Sequence, residues 1–314
     1  MQLFDDGPFF DPDAPGAADA DAVVEDAALA TTTTIGPLPY LSPSSASMYQ
    51  QCPRRWRFRY VDRLPDPPGE AALTGTFAHR VLELLFQEPA PDRTLERARQ
   101  LARDVWPETE DHPSYQALAL DDAGSRGFRW RGWRAIEGLW TVEDPALVQV
   151  KATERLVDTQ VGDVPFRGVV DRLDYAPDGH NLVITDYKSG RAPTARFADS
   201  RLAQVLLYTA AIEASDGVRP SMARLVYLGQ RVIDVVATDD VIAPVIEQLH
   251  TTWQAINDER ETDNYTPKPG PLCAWCPYAA RCDEGRAEIL RRAEMGLLPP
   301  TAPAVQALGL PIAS

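Results

Sequence analysis

No apolar run in this 314-residue sequence reaches the ~18 residues that a membrane-spanning helix needs, so no helical span is expected. The opening residues, MQLFDDGPFFDPDAPG, hold no basic patch followed by an apolar stretch, which argues against a secretory signal and makes a cytoplasmic location the expectation. No G-x-x-x-x-G-K-[ST] segment occurs, so a Walker-type nucleotide-driven motor is excluded. Internal repeats are absent, and cysteine is scarce, at four residues. Basic side chains are also in deficit: 31 Lys and Arg stand against 46 Asp and Glu, a net charge of −15. That balance argues against a polyanionic partner until its distribution is considered. Residues 1–30 carry eight acidic side chains and no basic one, in an Ala-, Pro- and Asp-rich stretch without apolar periodicity. Residues 1–36 are therefore expected to be a disordered acidic tail that holds over half of the net charge. Arginines cluster at Arg54, Arg55, Arg57 and Arg59, and again at Arg126, Arg129, Arg131 and Arg134. Each cluster can be a phosphate-binding patch or a solvated helix face.

The rest of the chain is ordinary for a soluble globular protein, at 44% apolar and 25% charged residues, and its length fits one or two domains. Ser42-Pro43-Ser44 reads as the cap and first turn of a helix running to about Tyr60. A Pro-rich linker, 64–69, precedes a second helix with Phe77, Val81, Leu84 and Leu85 on one face. Residues 93–142 read as helical, with breaks near Pro107 and Pro113. The pattern then changes to β-rich segments at 147–157, 166–176 and 181–188, separated by turns at Gly162-Asp163 and Pro177-Asp178-Gly179, which predicts a three-stranded antiparallel meander. An amphipathic helix through LAQVLLYTAAIEA, two more strands, and a helix from about Asp240 to Glu259 follow. The order predicts an α/β fold, a sheet flanked by helices.

The sharpest local signal is GVVDRLDYAPDGHNLVITDYKSG. Asp186 and Lys188 lie two apart on one strand and so share a face of the sheet, and the hairpin brings Asp171 close to that face. Charges stay in such a place only when paired or metal-bound, and two hard carboxylates suit Mg²⁺ or Mn²⁺. Lys188 would then orient a water and stabilise charge developing on a phosphate. On D-x-K alone, which is common, an exposed hairpin with a surface salt bridge is the better reading.

Cys52 stands apart from Cys273, Cys276 and Cys282, which are spaced C-x2-C-x5-C. Four sulfurs can form a zinc site, a cubane iron–sulfur cluster or two disulfides, and disulfides are disfavoured in a reducing compartment.

Gly168 to Asp171 followed by Asp186-Tyr187-Lys188-Ser189-Gly190 resembles the G-x-x-D … D-Y-K-[ST]-G signature of the PD-(D/E)XK nucleases, in the RecB-like exonuclease branch. Gly75 to His79 resembles that branch's upstream G-x-x-x-H motif, and Gln204 with Tyr208 its Q-x-x-x-Y motif. Ser42 to Tyr60, with Cys52-Pro53-Arg54-Arg55, resembles the opening motif of the iron–sulfur members, such as AddB-type and CRISPR-adaptation nucleases. The resemblance implies a PD-(D/E)XK (restriction-endonuclease-like) core over residues 37–290 and a flexible tail over 291–314. It implies a Mg²⁺- or Mn²⁺-dependent deoxyribonuclease of DNA repair or recombination, acting on single strands or ends. His79, Asp171 and Asp186 would be metal ligands, with Asp171, Asp186 and Lys188 catalytic. Gln204, Tyr208, Arg54 and Arg55 would contact DNA. The four cysteines would hold a [4Fe–4S] cluster joining the two ends of the domain, with Trp275 and Tyr278 shielding it. Any motor would be a separate helicase subunit. The alternatives are a catalytically weak DNA-binding subunit of a helicase–nuclease complex and a zinc-bound scaffold. Glu154 is read as a solvent-facing strand residue rather than a further acidic member of the site.

Overall fold

Gly162 takes φ +64°, which lets Val161 and Val164 pair across a two-residue turn and starts the sheet. The computed structural model describes residues 38–194 and 198–310. The acidic tail expected over residues 1–36 lies outside them. Two compact units divide the chain. The first takes Tyr40–Ser44 and Pro67–His250, and the second takes Ser45–Asp66 and residues 251–310.

The first unit is built on a mixed five-stranded sheet in the order β1-β2-β3-β4-β5. β1 (Gln149–Val161), β2 (Val164–Tyr175) and β3 (Leu182–Lys188) form the expected antiparallel meander. β4 (Met222–Tyr227) runs parallel to β3, a pairing that needs a crossover, and α7 (Ala198–Asp216) supplies it. β5 (Arg231–Val236) returns as a hairpin on β4. β3 is central and all seven of its residues are buried, so its sequence is a continuous run rather than an alternating one.

The helical part of this unit consists of α3 (Glu70–Gln87), α4 (Leu95–Glu110), the short α5 (Pro113–Gln116) and α6 (Asp122–Gly138). Thr94 caps α4 by accepting from the Arg97 amide, and Asp121 caps α6 by accepting from the Gly124 amide. Phe77, Val81, Leu82 and Leu85 of α3 recur at helical spacing and bury against Ala98, Leu101 and Val105 of α4 and Phe128 and Ile136 of α6. Each such fully buried side chain stabilises by about 1.5–3 kcal/mol. The break expected near Pro107 does not occur: Pro107 sits in the last turn of α4 with its ring exposed, where it removes one i→i−4 bond and only three residues of helix follow.

In the second unit, the single helix expected from Pro43 to Tyr60 is two, α1 (Pro43–Gln51) and α2 (Pro53–Tyr60). Cys52 between them is extended (φ −162°, ψ 107°), because Pro53 disfavours helical geometry in the residue before it. Trp56, fully buried, packs edge-on to Tyr49 and stacks on Tyr265. The Tyr49 hydroxyl donates to Glu259 at 2.7 Å near the end of α8 (Asp239–Thr262). After a coil and two short turns come α9 (Asp283–Glu294) and α10 (Pro303–Ala307). Within the stretch 291–314, expected to be a flexible tail, Ala302, Ala304 and Val305 are buried against Ala274, Ala279 and Ile289. Small apolar residues at 302, 304 and 305 give even this short helix a face to bury.

Candidate active site and thiol pocket

The ladder between β2 and β3 ends at the Arg172–Thr185 pair. One residue further on, the Tyr187 amide donates to the Asp171 carboxylate at 2.7 Å, so a side chain takes the place of a strand partner. Beyond this point Asp186 and Lys188 project together, with Lys188 Nζ 2.8 Å from Asp186 Oδ2. Gln204 on α7 ties the two in place: its Oε1 accepts from Lys188 at 3.1 Å and its Nε2 donates to Asp186 at 3.2 Å. His79 on α3 brings Nδ1 to 3.5 Å from Asp171. His79, Asp186 and Lys188 are all buried. Gly75, one turn earlier on α3, allows this approach, because a Cβ there would meet the Ser189 hydroxyl at 2.9 Å. Burial pushes the Asp171 carboxyl up, but His79, the Tyr187 amide and Lys188 outweigh it and leave the group below the usual carboxylate range.

Glu154 is not the solvent-facing residue expected from its strand. It takes φ +47° in β1 and drops out of the β1–β2 register opposite Asp171, which also drops out. Its carboxyl is pushed up to about 8, by burial first and by the negative charge of Asp171, with His79 acting in the opposite sense. Two carboxylates crowded beside a lysine and a histidine need a cation to remain charged together, and their hard oxygens suit a small divalent one. A carboxyl raised in the fold costs no stability below its unfolded value near 4.5 and costs progressively more as pH rises to about 8. The metal-free Glu154→Gln protein is therefore expected to melt above the metal-free native chain at pH 9, with the gap closing towards pH 5. Parallel thermal melts in EDTA check this, and equal melting temperatures at pH 9 would remove Glu154 from the buried acidic set.

Tyr208 also stands elsewhere than expected. It is fully buried, edge-on to Phe166, under a position of β2 where only glycine fits: a Cβ at Gly168 would lie 2.6 Å from its ring. It packs under the strand that carries Asp171.

The residues that alternate with the site form a second charged set that sequence reasoning missed. Arg172, fully buried, donates to Glu143 at 2.7 and 2.9 Å, to Asp174 at 2.9 Å and to the Tyr187 hydroxyl at 2.6 Å. Its guanidinium lies 4.1 Å from the centroid of the Phe86 ring. Thr185 donates to Asp174 at 3.0 Å, and Arg224 adds a bond to Glu143 at 3.3 Å. Burial works against the arginine's charge, but Tyr187, Asp174 and Glu143 hold its pKa above the ordinary value. Arg172 and Tyr187 thus lock together the strands from which Asp171, Asp186 and Lys188 project.

In the second unit Cys52, Cys273, Cys276 and Cys282 line one pocket, together with Arg55 and Phe58. The amides of Lys268, Gly270 and Gly285 point at the sulfurs of Cys52, Cys273 and Cys282, at 3.5, 3.5 and 3.3 Å. None of the four is in a disulfide. Burial pushes the Cys276 thiol up to about 12, with Arg55 acting against it, and raises Cys273 and Cys282 as well. Half-buried thiols with amides aimed at three of them fit a soft cationic centre that would favour the thiolate form. Arg55 is only 7% exposed and lines the thiol pocket, and Arg54 donates to the Tyr265 carbonyl. Tyr278 packs on Phe58 and Trp275 against Ala302 and Val305, so Phe58 is the aromatic that lines the pocket. Among the described residues, no group of three or more His, Cys, Asp or Glu side chains is placed so that it could hold a metal ion as it stands.

The family model of the PD-(D/E)XK nuclease superfamily matches residues 40–283. No curated protein matches the sequence significantly.

Proposed function

Since the chain belongs to the PD-(D/E)XK nuclease superfamily, we propose that it is a metal-dependent deoxyribonuclease of the RecB-like, iron–sulfur branch, cutting single strands or ends during DNA repair or recombination. The observation that carries this reading is Lys188, held by Asp186 and Gln204 beside Asp171 and His79. Asp171, Asp186 and His79 would hold Mg²⁺ or Mn²⁺, with Glu154 as a further carboxylate. A divalent ion bound there supplies a Lewis acid for the phosphate and lowers the pKa of water. Lys188, fixed by two bonds, presents its ammonium to the phosphate oxygen on which charge builds. Gln204 orders Lys188 and Asp186, a positioning role rather than a DNA contact. No helix among the described residues is long and apolar enough to cross a membrane. A helicase partner would be a separate chain.

Lys188→Ala is expected to lower turnover about 10²–10³-fold, the loss typical of one group that stabilises developing charge, with DNA affinity in Ca²⁺ nearly unchanged. Single-turnover cleavage and anisotropy titrations separate the two effects. A chain that binds DNA but shows no metal-dependent cutting in its native form would instead be the binding subunit of a larger complex.

The thiol pocket is read as the seat of a [4Fe–4S] cluster with a structural role. Cys52→Ser removes one ligand and is expected to abolish absorbance near 400 nm, to lower Tm by several degrees, and to expose Arg54 and Arg281 to trypsin. Iron and zinc analysis of anaerobically purified protein decides the ligand, and stoichiometric zinc without iron would replace the cluster by a zinc site.

A further inference from the structure

Away from the carboxylates, Phe77, Ala102, Trp106 and Trp133 wall an open pocket of about 200 Å³, with Arg99 and Arg129 at its rim. The Arg99 guanidinium lies 4.9 Å from the Trp133 ring centroid, and that of Arg129 lies 5.0 Å from the centroid of Trp106. Arg99 also bonds to exposed Glu96 at 3.3 Å, whereas Arg129 has no carboxylate within 4 Å among the described residues. Both arginines are exposed and both tryptophans half-buried. A flat apolar slot edged by two cations is complementary to a flat aromatic group that carries negative charge.

The same pairing of ring and cation continues along α6. Trp130 is 61% exposed, with the Arg134 guanidinium 5.7 Å from its centroid, and Arg126 lies one turn earlier. A single exposed ring needs no partner by itself, but Trp130 extends the row of tryptophans and arginines that begins at the Trp106–Trp133 pocket. A strand of unpaired nucleotides provides what such a surface needs, bases to stack and phosphates to neutralise. Duplex DNA does not, because its bases are already stacked. Phe77 and His79 are two residues apart on α3 and therefore leave the helix on different sides. The pocket is thus set apart from the metal-binding carboxylates by roughly the 10–12 Å thickness of one helix.

We infer that the Trp106–Trp133 pocket and the adjoining face of α6 form a second nucleic-acid site, which grips a base and flanking phosphates of single-stranded DNA away from the scissile bond. The inference rests on the nuclease reading for the identity of its ligand. It selects single strands over duplex, a preference that the carboxylates and Lys188 do not impose. The strand crosses α3 between the two sites, so a chain only two nucleotides long cannot occupy both.

The test measures binding without cleavage. Fluorescein-labelled oligothymidylate is titrated in Ca²⁺ against the full-length native chain, the double variant Arg99→Glu/Arg129→Glu, and Trp133→Phe. Quenching of tryptophan emission is followed in parallel. The native chain is expected to bind with quenching, and the charge-reversed protein about 10- to 100-fold more weakly. Trp133→Phe keeps an aromatic wall and should bind within a few-fold of native, and a thermal melt of the charge-reversed protein that matches native shows that the reversal acts locally and not through misfolding. Blunt duplex should neither quench nor compete effectively. Native-like affinity in the charge-reversed protein overturns the site, as does equal quenching by an acidic tyrosine-containing copolymer, which would mark a general polyanion surface. If the native chain cuts DNA in Mg²⁺ but its tryptophans are not quenched, this site falls and the nuclease reading stands. If it neither cuts nor binds, both fall.

Discussion

Asp186→Asn is expected to yield a folded protein whose Mg²⁺-dependent cleavage falls at least about a thousandfold, which corresponds to about 4 kcal/mol of lost barrier reduction. Asp186 is tied to Lys188 at 2.8 Å and to Gln204 at 3.2 Å. The amide keeps the shape and can still bond to Gln204, so the change removes charge more than packing. The proposed metal loses an anionic ligand, and Lys188 loses the partner that fixes its direction. Stability need not fall with activity, since the site also contains Asp171 and Glu154, and removing one negative charge relieves crowding. Gel assays on end-labelled DNA in Mg²⁺ and Mn²⁺, alongside thermal melts, separate the effects. Cleavage within a few-fold of native would remove Asp186 from the chemistry, and loss of the folded state would make its role structural.

Arg172→Met is expected to produce the largest stability loss of any substitution in the chain considered above, about 3–5 kcal/mol, because breaking a buried ion pair strands the remaining charges. Arg172 is the shared partner of Glu143 and Asp174, both also largely buried, and Arg224 reaches only Glu143. Burial already holds the Asp174 carboxyl above its ordinary range, even with Arg172 pulling it down. Without the arginine that carboxyl rises further, so the deficit should be greatest at neutral pH and shrink on acidification, as the neutral carboxyl no longer needs a cation. For a chain of this size the shift is roughly 10 °C in Tm. Urea titrations at pH 7 and pH 5 measure both its size and its pH dependence. Arg172→Lys keeps the charge but not the fork of donors and should recover part of the loss. A melting curve that matches native at pH 7 would show that Glu143 and Asp174 find other partners.

The sheet and the central part of the site were legible because both obey short-range rules. Apolar patterning, alternating or continuous, and turn residues marked all five strands, and the two-residue spacing of Asp186 and Lys188 put them on one face. Glu154 was not legible, because alternation assumes a regular strand and a left-handed residue re-aims its side chain. Nothing in the local sequence, which has no glycine there, announces that conformation. The burial of Tyr208 was not legible, because the resemblance to a Q-x-x-x-Y motif says nothing of what covers the ring. Gly168 was the signal that could have shown it, since glycine inside a strand often marks the close approach of another group. Cys52-Pro53 likewise carried the helix break in plain view. The role of Arg172 was not legible, because its partners Glu143 and Tyr187 come from other segments that only folding brings to it.

The composition of the thiol-bearing unit has a consequence for synthesis. Its first part, Ser45–Asp66, leaves the ribosome before the whole of Pro67–His250, and the residues it packs with come last. At about 5–20 residues per second, Trp56 and Cys52 wait on the order of ten seconds or longer without their partners. The sheet-bearing unit has most of its own contacts within a continuous stretch and can assemble during that interval. A nascent chain arrested after His250 would therefore present a nearly complete sheet, while Cys52 and the aromatic residues around it remained open to thiol reagents and chaperones.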